Sequence, residues 1–159
     1  MASRANSPLV ILLLAALAAL LVSCTKEPKE GEVLNEAIEA QRTDRFDDAI
    51  ASFKTFIESF PKSPKVPEAL YALGIVYQKK KDFRNAVATF KRVVDDYPDD
   101  PTASGAAYLR AMLLNEELKD TTSARDAYEG FLKRYPNAAM SGSVRIELAN
   151  LMKATKKNK

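Results

Sequence analysis

The chain has no histidine and no tryptophan, and only one cysteine among its 159 residues. Without histidine there is no imidazole to act as the base of a catalytic triad or as a metal ligand. A lone cysteine, Cys24, cannot close an internal disulfide. A marked excess of one charge sign is also missing, since 24 Lys and Arg stand against 21 Asp and Glu, for a net charge of +3. Proteins that bind nucleic acid carry a clustered basic face, and here both signs mix almost everywhere, so nucleic acid is not expected as a partner. The exception is Lys153, Lys156, Lys157 and Lys159 near the end, where residues 155–159 read as a solvated basic tail. No two carboxylates stand out from the many surface ones. The composition therefore points to a chain that is not an enzyme and needs no metal or cofactor, leaving a small carboxylate-based enzyme as the remote alternative.

The longest apolar run is also short. It covers the 14 residues from Leu9 to Val22, behind Arg4, whereas a membrane span needs roughly 20. A positive start, an apolar core of this length and small residues after it describe a secretory signal peptide over residues 1–23. The tetrad Leu21-Val22-Ser23-Cys24 resembles the lipobox of bacterial lipoproteins. That resemblance implies cleavage that leaves Cys24 as an N-terminal cysteine carrying lipid, palmitate included. Thr25, rather than Asp, after the cysteine resembles the outer-membrane sorting pattern. Residues 24–32, with Pro28 and Gly31, read as a linker behind the anchor.

Beyond the linker the sequence repeats. Ala49, Ala86 and Ala124 are 37 and 38 residues apart, and Phe53, Phe90 and Tyr128 follow each by four. Phe56, Val93 and Phe131 come three later, and Phe60-Pro61, Tyr97-Pro98 and Tyr135-Pro136 close each register. Steps of four, three and four put these residues on one face of a helix, and the proline stops the helix at the residue before it. Leu70, Leu73, Gly74 and Tyr77 mark a partner helix, with a turn at Lys80-Lys81-Asp82-Phe83. Gly74 lowers helix stability, so its place in the stripe indicates close packing. The third unit holds one extra residue near Lys119-Asp120-Thr121, where a turn tolerates insertion.

Leu73-Gly74, Tyr77, Ala86, Phe90 and Pro98 match the tetratricopeptide signature, which has a period of 34 residues. Glu36 and Arg110 replace Leu73 in the other units, and Ala37 and Ala111 replace Gly74. The longer period comes from the junction Pro61-Lys62-Ser63-Pro64-Lys65-Val66-Pro67-Glu68-Ala69. That junction resembles the repeats of the tetratricopeptide lipoproteins of the outer-membrane β-barrel assembly machinery (BamD-like). It is also similar to the C-terminal repeats of the Tol-associated cell-division coordinators. The resemblance implies an all-α fold, an α-solenoid of about three tetratricopeptide hairpins and a C-terminal capping helix, within residues 33–154. The repeats fall near 33–65, 66–102 and 103–138, with the cap at 139–154. The helices are expected at 33–42 and 45–60, 66–80 and 83–97, and 103–118 and 122–135, with Arg145, Leu148, Ala149 and Met152 forming the inward stripe of the cap. Ser141-Gly142-Ser143 reads as a helix start, with Ser141 or Ser143 capping free N–H groups; it lacks the base and strand-turn-helix setting of a serine nucleophile.

In such stacks the first helix of each unit lines a groove. The resemblance places Leu34, Ile38, Gln41 and Arg42 there from the first unit, and Glu68, Tyr71, Ile75, Gln78 and Lys79 from the second. Tyr108, Met112, Asn115 and Glu116 come from the third. An apolar strip with aromatic ends and amide edges suits a peptide, and the same residues suit packing between adjacent first helices. The expected function is a lipid-anchored envelope adaptor that binds envelope proteins or peptides, outer-membrane protein assembly ranking first. A cell-division coordinator and a type IV pilus assembly lipoprotein are the alternatives of the same architecture. The expected location is the outer membrane, facing the periplasm.

Overall fold

Phe60, Tyr97 and Tyr135 each precede a proline, whose ring disfavours helical geometry one residue upstream. In the computed structural model, which describes residues 29–157, all three leave their helices in nearly one conformation. Their φ values are −126°, −134° and −124°, and their ψ values 53°, 54° and 53°. Each then accepts a bond from the amide three residues on: Ser63, Asp100 and Ala138 donate to the carbonyls of Phe60, Tyr97 and Tyr135. Those three residues in turn accept from Val66, Ala103 and Ser141, which open the next helices. One junction is thus built three times. Cys24, the lipobox, the signal peptide and the linker up to Pro28 lie outside the described residues.

The junctions divide the seven helices of the described residues: α1 (Glu30–Arg42), α2 (Phe46–Ser59), α3 (Val66–Lys79), α4 (Phe83–Asp96), α5 (Ala103–Glu116), α6 (Thr121–Arg134) and α7 (Ser141–Lys157). Within a unit the turn places one residue in the left-handed region, Asp44, Lys81 and Lys119 at φ 54°, 63° and 54°. That conformation costs a residue with a Cβ roughly 1–2 kcal/mol, and the bonds around it offset the cost. Arg45 N–H reaches the Ala40 carbonyl and Asp82 N–H the Tyr77 carbonyl, both at 2.9 Å. In the third unit Asp120 N–H reaches Leu114 across one more residue, so the insertion is absorbed in the turn. Asp82 and Asp120 then cap α4 and α6 by accepting from Asn85 and Ser123 N–H. The donation from Ser123 holds the Asp120 carboxyl below its ordinary range.

Each helix packs on the one before and the one after it, which is the order of an all-α solenoid of helical hairpins. Ala49, Ala86 and Ala124 are fully buried, as are Phe53, Phe90 and Tyr128. A Cβ built on Gly74 would lie 2.5 Å from Phe90 Cε1. The α3 backbone therefore rests on the Phe90 ring, and the absent side chain is what permits it. The core forms two clusters that meet at α5, whose Ala103, Ala106 and Leu113 belong to the first and Ala107, Ala111 and Leu114 to the second.

Four expectations change. α1 starts at Glu30, so residues 30–32 of the expected linker are helical, with Glu30 Oε1 accepting from Ser63 Oγ. α7 continues through Lys157 into the expected basic tail. The buried face of α7 is Val144 and Leu151 with half-buried Leu148, while Arg145, Ala149 and Met152 face outward. Of the expected stripe only Leu148 turns inward, because the side of α7 that packs into the last core cluster is the one carrying Val144 and Leu151. Finally, Ser141 does not cap α7; its hydroxyl donates to the Tyr135 carbonyl at 2.8 Å.

Candidate partner-binding face

α7 enters through the same junction as α3 and α5, and so stands as a first helix. Four first helices then carry equivalent positions. Leu34, Tyr71, Tyr108 and Ile146 form one row, Ile38, Ile75, Met112 and Asn150 a second, and Gln41, Gln78, Asn115 and Lys153 a third. None of the nine expected groove residues that fall in these rows is buried. Ile38 is 46 % exposed and the other eight are half-buried. Leu34, Tyr71, Ile75 and Met112 lean on the first core cluster, and Tyr108 on the second. The strip is therefore the outer edge of the core, partly bedded in it and partly open to solvent.

Tyr71 shows both aspects. Its ring lies 5.7 Å from the Phe90 ring, and its hydroxyl is 3.3 Å from where a Gly105 Cβ would sit. The glycine in α5 thus makes room for a tyrosine in α3, which wedges consecutive units together. Arg42, Glu68 and Lys79 lie at the margins and are already engaged: Arg42 with Glu39 at 2.7 Å, Glu68 with Lys65 at 3.2 Å, Lys79 with Asp44 at 3.4 Å. Asn115 and Glu116 lie near the hydroxyl of fully buried Tyr128, which has no well-formed hydrogen bond. Burial pushes that phenol up to about 12, and Glu147 and Glu116 add to the effect.

Ile146, 62 % exposed, is the row member that the sequence reading missed. The signal was available in the junction spacing from Tyr135 to Ser141, which sets α7 in register with α5. Among the described residues no group of His, Cys, Asp or Glu is arranged to hold a metal, and no helix is long and apolar enough to cross a membrane.

The sequence matches the YfiO family, described as outer membrane lipoprotein, over residues 26–157. The chain belongs to the YfiO family. Its match runs through all seven helices, so the repeats themselves carry the membership. No curated protein matches the sequence. Among solved structures it is similar to the TPR2B domain of yeast Sti1, determined as a complex with pHsp70. The TM-score is 0.59 at 14 % identity, covering 79 % of this chain and 97 % of that one. At that identity the likeness fixes the fold of this YfiO-family chain, a tetratricopeptide solenoid, and no residue role.

Proposed function

We propose that the protein is a lipid-anchored envelope adaptor that holds partner proteins on the strip formed by its first helices, in outer-membrane protein assembly. One observation carries the reading: a row of large apolar side chains repeats on successive first helices and stays partly open to solvent. Large apolar side chains left at a surface mark interaction sites when they run together, and aromatics are the usual energetic anchors. The YfiO family is described as outer membrane lipoprotein, which supports a surface of this kind working at the cell envelope. The lipid on Cys24 supports a fixed end, because several acyl chains hold a protein firmly where one does so marginally. The few residues between Cys24 and Glu30 extend to ~20 Å at most, so the strip works close to the bilayer surface.

Two measurements test this. Labelled palmitate should enter the wild type and not Cys24→Ala; unchanged labelling removes the anchor. Ile38→Asp with Met112→Asp should cut partner recovery from solubilised membranes at least tenfold while helical content stays. Undiminished recovery removes the strip as the binding surface.

A further inference from the structure

Consecutive second helices enclose two clefts that the repeat makes equivalent. The first lies between α2 and α4, with Leu73 and Tyr77 on its floor and Lys54, Thr89 and Arg92 around it, about 390 Å³ in volume. The second lies between α4 and α6, about 400 Å³, with Ala107 and Arg110 on its floor. The contents differ in a coordinated way. Where the first cleft has Leu73, the second has Arg110; where it has Thr89 and Arg92, the second has Ala127 and Gly130. A buried apolar floor has become a guanidinium, and the two side chains over it have shrunk.

Neither change has a folding rationale. Leu73 is 3 % exposed, and replacing such a residue by arginine incurs desolvation of a charge, which is tolerated only with partners. Arg110 as a whole is half-buried, and its Nε is fully covered with no partner. Gly130 lies in the interior of α6 with no positive φ, and a Cβ there would meet nothing within 4 Å. Glycine inside a helix is unfavourable relative to alanine, and here neither backbone nor packing requires it. What it does is leave the mouth of the cleft open above Arg110. A buried donor without an acceptor is relieved when a ligand brings one.

We propose that the cleft between α4 and α6 receives the carboxylate of an acidic side chain, Glu in particular, from a partner protein, with Arg110 as its counter-ion. A guanidinium matches the two coplanar oxygens of a carboxylate. Val94, Ala107, Ala127 and Phe131 supply apolar walls for the methylene stem. Lys133 and Arg134 add positive charge at the rim; one Arg134 nitrogen already donates to the Val94 carbonyl at 2.7 Å. Asp95 and Asp126, also at the rim, contact Lys91 and Arg125 and disfavour a dianionic phosphate. Because the rim residues are exposed, an occupant stays half open to water. That suits a side chain projecting from a docked protein better than a free small molecule, which needs enclosure. This face is distinct from the first-helix strip, so the two assignments fail separately.

The test is an NMR titration of the full-length chain with N-acetyl-glutamate methylamide. The Gly130 amide and the Arg110 Nε–H should shift saturably in the millimolar range. The shifts should weaken at least tenfold in Arg110→Leu and in Gly130→Leu, which fills the open mouth of the cleft with an uncharged side chain. The glutamine analogue should give no saturable shift, and N-acetyl-glycine, a chain-end carboxylate without the stem, should bind several-fold more weakly. Arg110→Leu should raise Tm, since it rebuilds the floor of the first cleft. Undiminished shifts in either variant overturn the proposal, as does an equal response to the glutamine analogue. So does tighter binding of N-acetyl-glycine or inorganic phosphate, or a lower Tm in Arg110→Leu, which would make Arg110 structural.

Discussion

The second and third units share a backbone and differ in what fills it. In the second, Gly74 lets α3 rest on Phe90, and Leu73 seals the outer cleft. In the third, Ala111 takes the place of Gly74, the Tyr128 hydroxyl is buried without a good partner, and Arg110 stands where the seal was. The connection between units changes as well. Lys79 and Lys80 at the end of α3 pair with Asp44 and Asp47, whereas the equivalent residues one unit on are Glu116 and Glu117 against Lys81 and Arg84, with both signs exchanged. The frame is held by prolines, left-handed turn residues and small-to-aromatic contacts. The second unit fills that frame for stability, and the third gives some of it up at positions that open toward solvent.

The largest test of this contrast is at the aromatic positions. Phe90→Ala should destabilise by ~3–5 kcal/mol, the usual cost of emptying a fully buried phenylalanine site, as chemical denaturation would show. Gly74→Ala should lose ~1–3 kcal/mol through overpacking against Phe90. Ala111→Gly in the third unit should lose about 1 kcal/mol for the opposite reason, helix propensity. If Gly74→Ala were stabilising, the close approach of α3 to Phe90 would not be a constraint.

Tyr128→Phe should gain about 1 kcal/mol at neutral pH by removing an unsatisfied buried hydroxyl. The same residue sets an alkaline limit. Its phenol is raised from 10 to about 12 in the folded chain, so the neutral form is favoured by folding. The associated stability is complete below pH 10 and is lost as pH rises toward 12. Denaturation midpoints of Tyr128→Phe should decline less over that window than those of the wild type. Gly130→Ala should add up to ~1 kcal/mol, because helix propensity acts without steric opposition there. The smallest effect belongs to the ion pairs: Lys80→Gln should lower the denaturation midpoint only slightly, as the loss of an exposed pair does.

The fold was legible in the sequence because its determinants are local and recur. Three aromatic-proline steps, three small-to-aromatic spacings and one extra turn residue define the units without any long-range information. The edges were less legible. Nothing local showed that Glu30 would be helical and bonded to Ser63, a contact across 33 residues. The inner face of α7 depended on which side met α6, and Arg145, expected inward, is exposed. The first-helix strip could be named from spacing alone. That Tyr71 also wedges against Phe90 and Gly105 required the packing, as did the cleft over Arg110, where the telling feature is a donor left without a partner.

The most direct test of the adaptor reading is photo-crosslinking in intact cells. A photoreactive residue at Ile38, Ile75 or Met112 should capture the same partner protein in each case, and one at exposed Ala51 on α2 should not. Capture from Ala51 with none from the three first-helix positions would contradict the account.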